Sequence, residues 1–102
     1  EGVTNIEEKV RSEKNTFYLL PNSPNPFSFY TTISFFLPSR DCVRIQLFNS
    51  LGQIVKEITH QEMNRGLQKI TFKMDKNFSS GIYFYQISYG ENVKIDKLLY
   101  IK

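Results

Sequence analysis

Three prolines lie within six residues, at Pro21, Pro24 and Pro26, shortly before the strand-like segment 31–37. Proline has no backbone N–H and a fixed φ, and it pushes the residue before it towards extended conformations. A helix cannot cross such a segment. The sequence therefore predicts a shaped loop that leads into a β-strand, with a polar leader before it and a strand-rich domain after it.

The leader, residues 1–16, is dominated by Glu, Lys, Arg, Ser and Asn, and its apolar residues are isolated. We expect a flexible linker there, although Val3, Ile6 and Val10 are spaced like one face of a short helical turn. The start has neither an initiator Met nor the basic and apolar regions of a signal peptide. We interpret the 102 residues as a piece of a longer chain that holds one small domain.

From residue 17 onwards, apolar residues recur at every second position in short runs that are separated by turn residues. Seven strands are predicted, over 17–20, 31–37, 42–48, 53–59, 67–74, 82–89 and 93–101. The first is expected to end at Pro21, and the run 82–89 is the most apolar and is predicted to be central. This pattern predicts an all-β, immunoglobulin-like antiparallel β-sandwich of about seven strands over residues 17–102, with the strand order left open.

The sequence offers little for catalysis or metal binding. Cys42 and His60 are the only thiol and imidazole, so a disulfide or a zinc site is not expected, and Cys42 is predicted to be a small apolar filler at a strand edge. We expect His60 in a polar loop over residues 60–65. Asp75, Asn77 and Ser79 alternate, but no acidic residue follows them to complete a calcium loop. No nucleophile is paired with a base, so we expect no enzyme activity and no cofactor.

The net charge of +3 and the pI near 9.0 raise the question of nucleic-acid binding. A basic stripe could form if five cations share one outward face. They are Arg44, Lys69, Lys73, Lys94 and Lys97. However, Tyr83, Tyr85 and Tyr89 alternate as core residues do, and outward lysines commonly protect sheet edges. We therefore expect no nucleic-acid partner, and no stable membrane insertion because no apolar run is long enough to span a bilayer.

Taken together, the motifs from Phe17 to Lys102 resemble the type A C-terminal sorting domains of the type IX secretion system. The family's opening motif, an apolar residue followed by Asn-x-Pro-Asn-Pro-Phe, is matched by residues 20–27, and its Thr-x-Ile-x-Phe strand is matched by residues 31–35. Further matches follow in the family's order. They are Val43, Ile45, Leu47, Phe48, Gly52, Val55, Gly81-Ile82-Tyr83, Gly90 and Lys97-Leu98-Leu99-Tyr100-Ile101-Lys102.

The resemblance implies a delivery signal without catalytic activity. Such domains follow a cargo domain in the same chain, made by a Gram-negative bacterium, that reaches the periplasm by its own signal. An outer-membrane translocon then carries the cargo to the surface or the medium. A sortase-like peptidase often removes the sorting domain, for which the leader 1–16 is the expected place, and the cargo is released or attached to lipopolysaccharide.

Two groups of residues are singled out by this resemblance. The candidates for translocon recognition are Gly81, Tyr83, Lys97, Leu98, Leu99, Ile101 and Lys102. The family loop motif is Pro24, Asn25, Pro26 and Phe27, for which a loop-shaping role is favoured over direct recognition. Gly81 and Gly90 are expected to serve turn geometry first.

Two alternatives stay open at this point. One is an immunoglobulin-like accessory or adhesion module of an extracellular enzyme, binding protein or carbohydrate, or the similar sandwich of flagellar hook-capping proteins. Carbohydrate binding would use an exposed aromatic row, for which Tyr18 and Tyr30 are the candidates, since the chain has no Trp. The position of the domain within its chain distinguishes these alternatives. A sorting domain is expected to end its chain, here at Ile101 and Lys102, whereas a hook-cap sandwich is internal.

Overall fold

The computed structural model describes residues 16–102, which form seven β-strands and no helix. The strands are β1 (Tyr18–Ser23), β2 (Tyr30–Leu37), β3 (Asp41–Phe48), β4 (Ile54–Met63), β5 (Gly66–Lys73), β6 (Gly81–Tyr89) and β7 (Asn92–Tyr100). Because none of the described residues is helical, none of them supplies a helix that could span a membrane. The expected leader lies, for residues 1–15, outside the described part of the chain.

The strands form two antiparallel sheets, and the predicted all-β sandwich is confirmed. One sheet has the order β1-β2-β5 and the other the order β4-β3-β6-β7. In constant-type immunoglobulin domains the fourth strand lies beside the fifth. Here β4 instead pairs with β3 through a hairpin, so the fourth strand belongs to the sheet that contains β3, β6 and β7. The predicted central position of β6 is confirmed, since it lies between β3 and β7, and β7 is an edge strand.

The core forms where the period-two pattern of each strand faces the other sheet. Ile33, Phe35 and Leu37 of β2 are fully buried, and the alternate residues of β3 and β6 close the space from the other side. The buried residues of those two strands are Val43, Ile45, Leu47, Tyr83, Tyr85, Ile87 and Tyr89. Thus the predicted inward assignment of the tyrosines is confirmed.

Two strand boundaries differ from the sequence prediction. Strand β1 runs through Pro21 to Ser23, with an irregular register after Leu20. Proline is tolerated there because β1 is an edge strand with one side unpaired. Strand β4 continues to Met63, so the prediction of a loop at His60 is wrong: Arg44 of β3 lies opposite His60. An edge strand can be polar throughout, and such a strand is easily mistaken for a loop.

The prediction that Cys42 is a small apolar filler at a strand edge is also wrong. Cys42 lies near the start of β3 with its side chain exposed, because Val43 takes the inward position and Cys42 shares the outward face with Arg44. The expected turn role of Gly90 is confirmed, and Gly52 lies in a second hairpin turn. Gly52 and Gly90 both have positive φ, at 84° and 56°, and the Asn49 side-chain oxygen accepts the N–H groups of Leu51 and Gln53.

Candidate recognition site

The proline-rich loop and the end of β7 lie side by side, although they are far apart in sequence. The N–H of Phe27 donates to the carbonyl oxygen of Leu99 at 3.0 Å, and the N–H of Ile101 donates to the carbonyl oxygen of Phe27 at 2.9 Å. Phe27 and Tyr100 form a short parallel bridge. The side-chain oxygen of Asn25 accepts the N–H of Leu99 at 2.9 Å. The loop therefore acts as a one-residue extra strand on the outer edge of β7.

A buried polar chain holds this loop in shape. The Asn22 side-chain amide donates to the Thr31 hydroxyl at 3.1 Å, and that hydroxyl donates to the carbonyl oxygen of Pro24 at 2.7 Å. Asn22 and Thr31 are both buried. Buried polar groups are retained where their hydrogen bonds are satisfied, as they are here. The peptide bonds before Pro24 and Pro26 are both cis.

Phe27 anchors the loop in the core. Its side chain is 3% exposed, and its ring centre lies 5.4 Å from that of Tyr100 and 6.3 Å from that of Phe72. The ring therefore contacts both sheets, since Tyr100 belongs to β7 and Phe72 to β5. Phe29, two residues later, is 80% exposed. Phe27, the last residue of the family motif, is thus a core packing residue, whereas the side chain of Phe29 is exposed to solvent.

The structure separates the candidate recognition residues into core and surface. Tyr83 and Leu98 are buried, and the Tyr83 hydroxyl donates to the Ser79 carbonyl oxygen at 2.7 Å. Burial raises the pKa of Tyr83, with a smaller contribution from nearby Tyr100. Gly81 lies opposite Tyr100 at the start of β6. These three residues hold the start of β6 against the end of β7, and they present few atoms to a partner.

The remaining candidates are accessible. Lys97 and Lys102 are exposed, Leu99 is 37% exposed and Ile101 is 48% exposed. The N–H of Lys102 donates to the Ser80 hydroxyl at 2.8 Å, which fixes the segment after β7 against the start of β6. This surface is therefore ordered and mixes apolar side chains with positive charge.

Two concave surfaces lie along this region. A groove of about 280 Å³ is bounded by Asn25 and Pro26 on one side and by Ile82, Lys97 and Leu99 on the other. A wider depression of about 680 Å³ lies beside Ser28 and Phe29. Its rim also includes Asp75 and the lysines Lys73, Lys76 and Lys102, so positive charge is in excess there. Both surfaces combine apolar walls with cationic side chains, so each suits an apolar or acidic peptide segment.

The outer face of the four-stranded sheet carries further apolar residues that the sequence analysis did not single out. Ile54, Ile82 and Ile95 are exposed, and Phe48 and Phe84 lie opposite each other between them, partly exposed. The alternation of side chains along β6 is sufficient to predict these exposed apolar residues. Because Tyr83 and Tyr85 face inward, Ile82 and Phe84 must face outward, where a domain without a partner would carry polar residues.

The structure offers no support for the other chemistries considered from the sequence. Among residues 16–102, no three His, Cys, Asp or Glu side chains come close enough to hold a metal ion. The five cations of the considered basic stripe are spread over both sheets. Arg44 of β3 is paired with Glu57 at 3.0 Å, Lys69 and Lys73 lie on β5, and Lys94 lies 5.7 Å from the Phe17 ring centre.

Comparison with models of known protein families gives a match. The family model described as the secretion system C-terminal sorting domain matches residues 23–102, from the end of β1 through β7. The matched region contains the loop motif, its docking site on β7 and both concave surfaces. No curated protein matches the chain.

Proposed function

The chain belongs to the family of type IX secretion-system C-terminal sorting domains, and from this premise we propose that it directs an attached cargo across the outer membrane. Membership makes the domain a sorting signal on a protein that is exported to the cell surface or secreted. The finer steps are part of the proposal. The cargo precedes the domain in the same chain, passes through the periplasm of a Gram-negative bacterium, and is handed to an outer-membrane translocon.

A sortase-like peptidase is the second proposed partner. Cleavage is proposed within residues 1–16, before the sandwich formed by residues 17–102. Proteases act on extended, accessible backbone, whereas the hydrogen-bonded strands from β1 onwards resist them. The domain itself is proposed to be non-catalytic, acting as a surface that the machinery reads.

The observation that carries the recognition proposal is the docked end of β7. The strand is held from both sides at Leu99. The backbone N–H and carbonyl of Leu99 bond to the loop, and the neighbouring residues of β7 pair with β6. The side chain of Leu99 nevertheless remains partly exposed beside Lys97 and the groove at Pro26. A receptor would therefore meet a rigid apolar and cationic surface, which lowers the entropy cost of binding.

Within this surface we assign direct contact to Lys97, Leu99, Ile101 and Lys102. Gly81, Tyr83 and Leu98 are proposed to act indirectly, by fixing the position of the end of β7. Pro24, Asn25, Pro26 and Phe27 are likewise proposed to shape and hold the loop, with Pro26 also forming a groove wall. This division follows the exposure of each side chain.

The test is export of a reporter. The full 102-residue chain is fused behind a periplasmic reporter in a host that has the secretion machinery, and reporter is measured outside the cell. We expect export with the unchanged domain. If that fusion stays in the periplasm while an established family member is exported in the same host, the sorting function is rejected.

A matched pair of variants tests the surface. Leu99→Ser alters an exposed leucine on β7, whereas Leu67→Ser alters an exposed leucine on β5 of the other sheet. We expect Leu99→Ser to retain the reporter in the periplasm and Leu67→Ser to export it, with both domains folded by circular dichroism. Normal export of Leu99→Ser would show that recognition lies elsewhere.

The carbohydrate-binding alternative has less support. Tyr18 lies opposite Phe36 and stacks on its ring, with centres 5.4 Å apart. Tyr30 is at the other end of β2, six residues from Phe36, which is about 20 Å along a strand. The two tyrosines therefore do not form one platform for a sugar chain.

A further inference from the structure

One stretch of β7 has an unpaired edge. Among the seven strands of residues 16–102, β7 pairs with β6 alone, and Phe27 of the loop bridges only its last residue, Tyr100. In an antiparallel strand, the N–H and C=O groups of alternate residues point to the same side. Leu99 directs both groups outward, to the loop. Val93, Ile95 and Lys97 therefore direct theirs outward too. The Lys97 N–H donates to the side-chain oxygen of its neighbour Asp96 at 2.8 Å, and no described strand lies there to receive the other groups.

The length of this open edge is defined at both ends. At one end the loop covers the edge from Leu99 to Ile101, and at the other the turn at Gly90 precedes the first residue of β7, Asn92. The segment between, residues 92–98, is long enough to pair with one short strand. Such an edge is a template for strand addition unless charges oppose it.

The charges on this segment have a specific arrangement. Lys94 and Asp96 flank Ile95, one on each side, and the three side chains are exposed. We propose that β7 pairs antiparallel with β7 of a second copy of this chain, in the register that sets the two Ile95 residues opposite each other. Lys94 of each copy then lies opposite Asp96 of the other, which gives two cross-strand ion pairs.

This register is selected against its neighbours. A residue whose N–H and C=O groups point away from β6 must pair with a residue of the same kind in the other copy. The pairing can therefore shift only in steps that keep this rule. A shift in one direction sets the two Lys94 residues opposite each other, and a shift in the other direction does the same to the two Asp96 residues. Like charges directly opposite are destabilising. Of these registers, the one that sets Ile95 opposite Ile95 is the one in which both charges are matched.

The outer face of the sheet adds apolar contact. Ile95 is 61% exposed, and pairing brings the two Ile95 side chains together across the new contact. Val93 of each copy faces the aliphatic part of Lys97 of the other. The contact joins two four-stranded sheets into one continuous sheet of isologous symmetry. Because the contact is small, we expect a weak, concentration-dependent dimer.

Sedimentation equilibrium of the full chain over a range of concentrations tests the proposal. The unchanged chain is expected to dimerise, and Asp96→Lys or Lys94→Asp alone is expected to weaken the dimer roughly tenfold or more by replacing two attractive pairs with two repulsive ones. An equimolar mixture of the two variants is expected to form heterodimers, since every pair is then opposite in charge. A monomer at all concentrations, or variants that dimerise as the unchanged chain does, would overturn the proposal.

Ile95→Pro provides an independent check on the backbone. The N–H lost at Ile95 points away from β6, so proline there should spare the β6–β7 pairing and abolish dimerisation. Hydrogen exchange supplies the second measurement. The N–H groups of Val93 and Ile95 should be protected only at concentrations where the dimer forms. Protection in the monomer would show that another part of the same chain covers the edge, which contradicts a second copy as occupant.

Discussion

Asn25 and Leu99 are separated by 74 positions in the chain, yet the side-chain oxygen of Asn25 accepts the Leu99 N–H at 2.9 Å. This bond completes the attachment of the proline-rich loop to β7, next to the two backbone bonds of Phe27. It occupies an edge N–H that would otherwise be open to another strand. The loop motif therefore fixes the conformation of the loop and also covers the unpaired edge of β7 at Leu99.

Replacing Asn25 should loosen this attachment. Asn25→Ala removes the acceptor and is expected to lower the free energy of unfolding by about 0.5–1.5 kcal/mol, because the bond is exposed and water replaces it in part. Urea unfolding measures the loss, and hydrogen exchange at the Leu99 N–H should accelerate. Asn25→Asp keeps an acceptor at the same position and serves as the control. An equal loss in both variants would mean that this hydrogen bond is not what holds the loop.

The two phenylalanines of the loop should differ strongly in their effect on stability. Phe27→Ala opens a cavity between Phe72 and Tyr100 and is expected to cost about 3–5 kcal/mol, enough to unfold much of a small domain. Phe29→Ala removes an exposed ring and should change stability by about 0.5 kcal/mol or less. Thermal and urea unfolding compare the two. Similar losses would contradict the assignment of Phe27 as the anchor.

Local patterns in the sequence were sufficient to predict the strands but not their partners. The alternation of Val43, Ile45 and Leu47 requires an inward face, and Gly90 marks a hairpin turn. The prolines predict a loop because they remove donors and restrict the backbone. That this loop docks on β7 could not be predicted, because the contact depends on how two sheets pack and not on any neighbouring residue.

The errors have physical causes as well. His60 lies in a stretch of β4 where polar residues follow one another over residues 59–62, on both faces of the strand, so the period-two signal disappears there. Pro21 remains within β1 because an edge strand does not need every N–H. For the candidate site, the alternation shows that Leu98 and Tyr83 face inward. A resemblance between sequences selects these positions together with the exposed ones and does not separate structure from recognition.

Two buried tyrosines on β6 should respond oppositely to loss of their hydroxyl groups. The Tyr89 hydroxyl donates to the Ser39 carbonyl oxygen at 2.6 Å and accepts the Ser39 N–H at 3.0 Å, which ties the β2–β3 connection to β6. The Tyr85 hydroxyl is buried without a hydrogen-bond partner among the described residues. Tyr89→Phe should therefore cost about 1–3 kcal/mol, whereas Tyr85→Phe should be neutral or stabilise by about 1 kcal/mol.

Urea unfolding at neutral pH measures both variants. The substitutions remove the same atom from the same strand, so they act as controls for each other. A substantial loss of stability in Tyr85→Phe would show that its hydroxyl has a partner, such as an ordered water.

The buried Tyr85 should also make the fold sensitive to alkali. Burial raises its pKa from 10.0 to about 12, with a smaller contribution from Asp96, and burial raises the pKa of Tyr83 in the same direction. The unfolded chain therefore loses these protons at lower pH than the folded chain does. The free energy of unfolding is therefore unaffected by these groups below pH 10.0, and it falls as the pH rises towards about 12.

For Tyr85 this loss should reach on the order of 2 kcal/mol. Urea unfolding at a series of pH values from neutral to strongly alkaline measures it, and Tyr85→Phe is the matched control because it removes this group's titration while other groups continue to titrate. We expect the variant's stability to fall less steeply above pH 10.0 than that of the unchanged chain. Parallel curves would mean that Tyr85 ionises equally easily in both states, which full burial of its ring and hydroxyl should prevent.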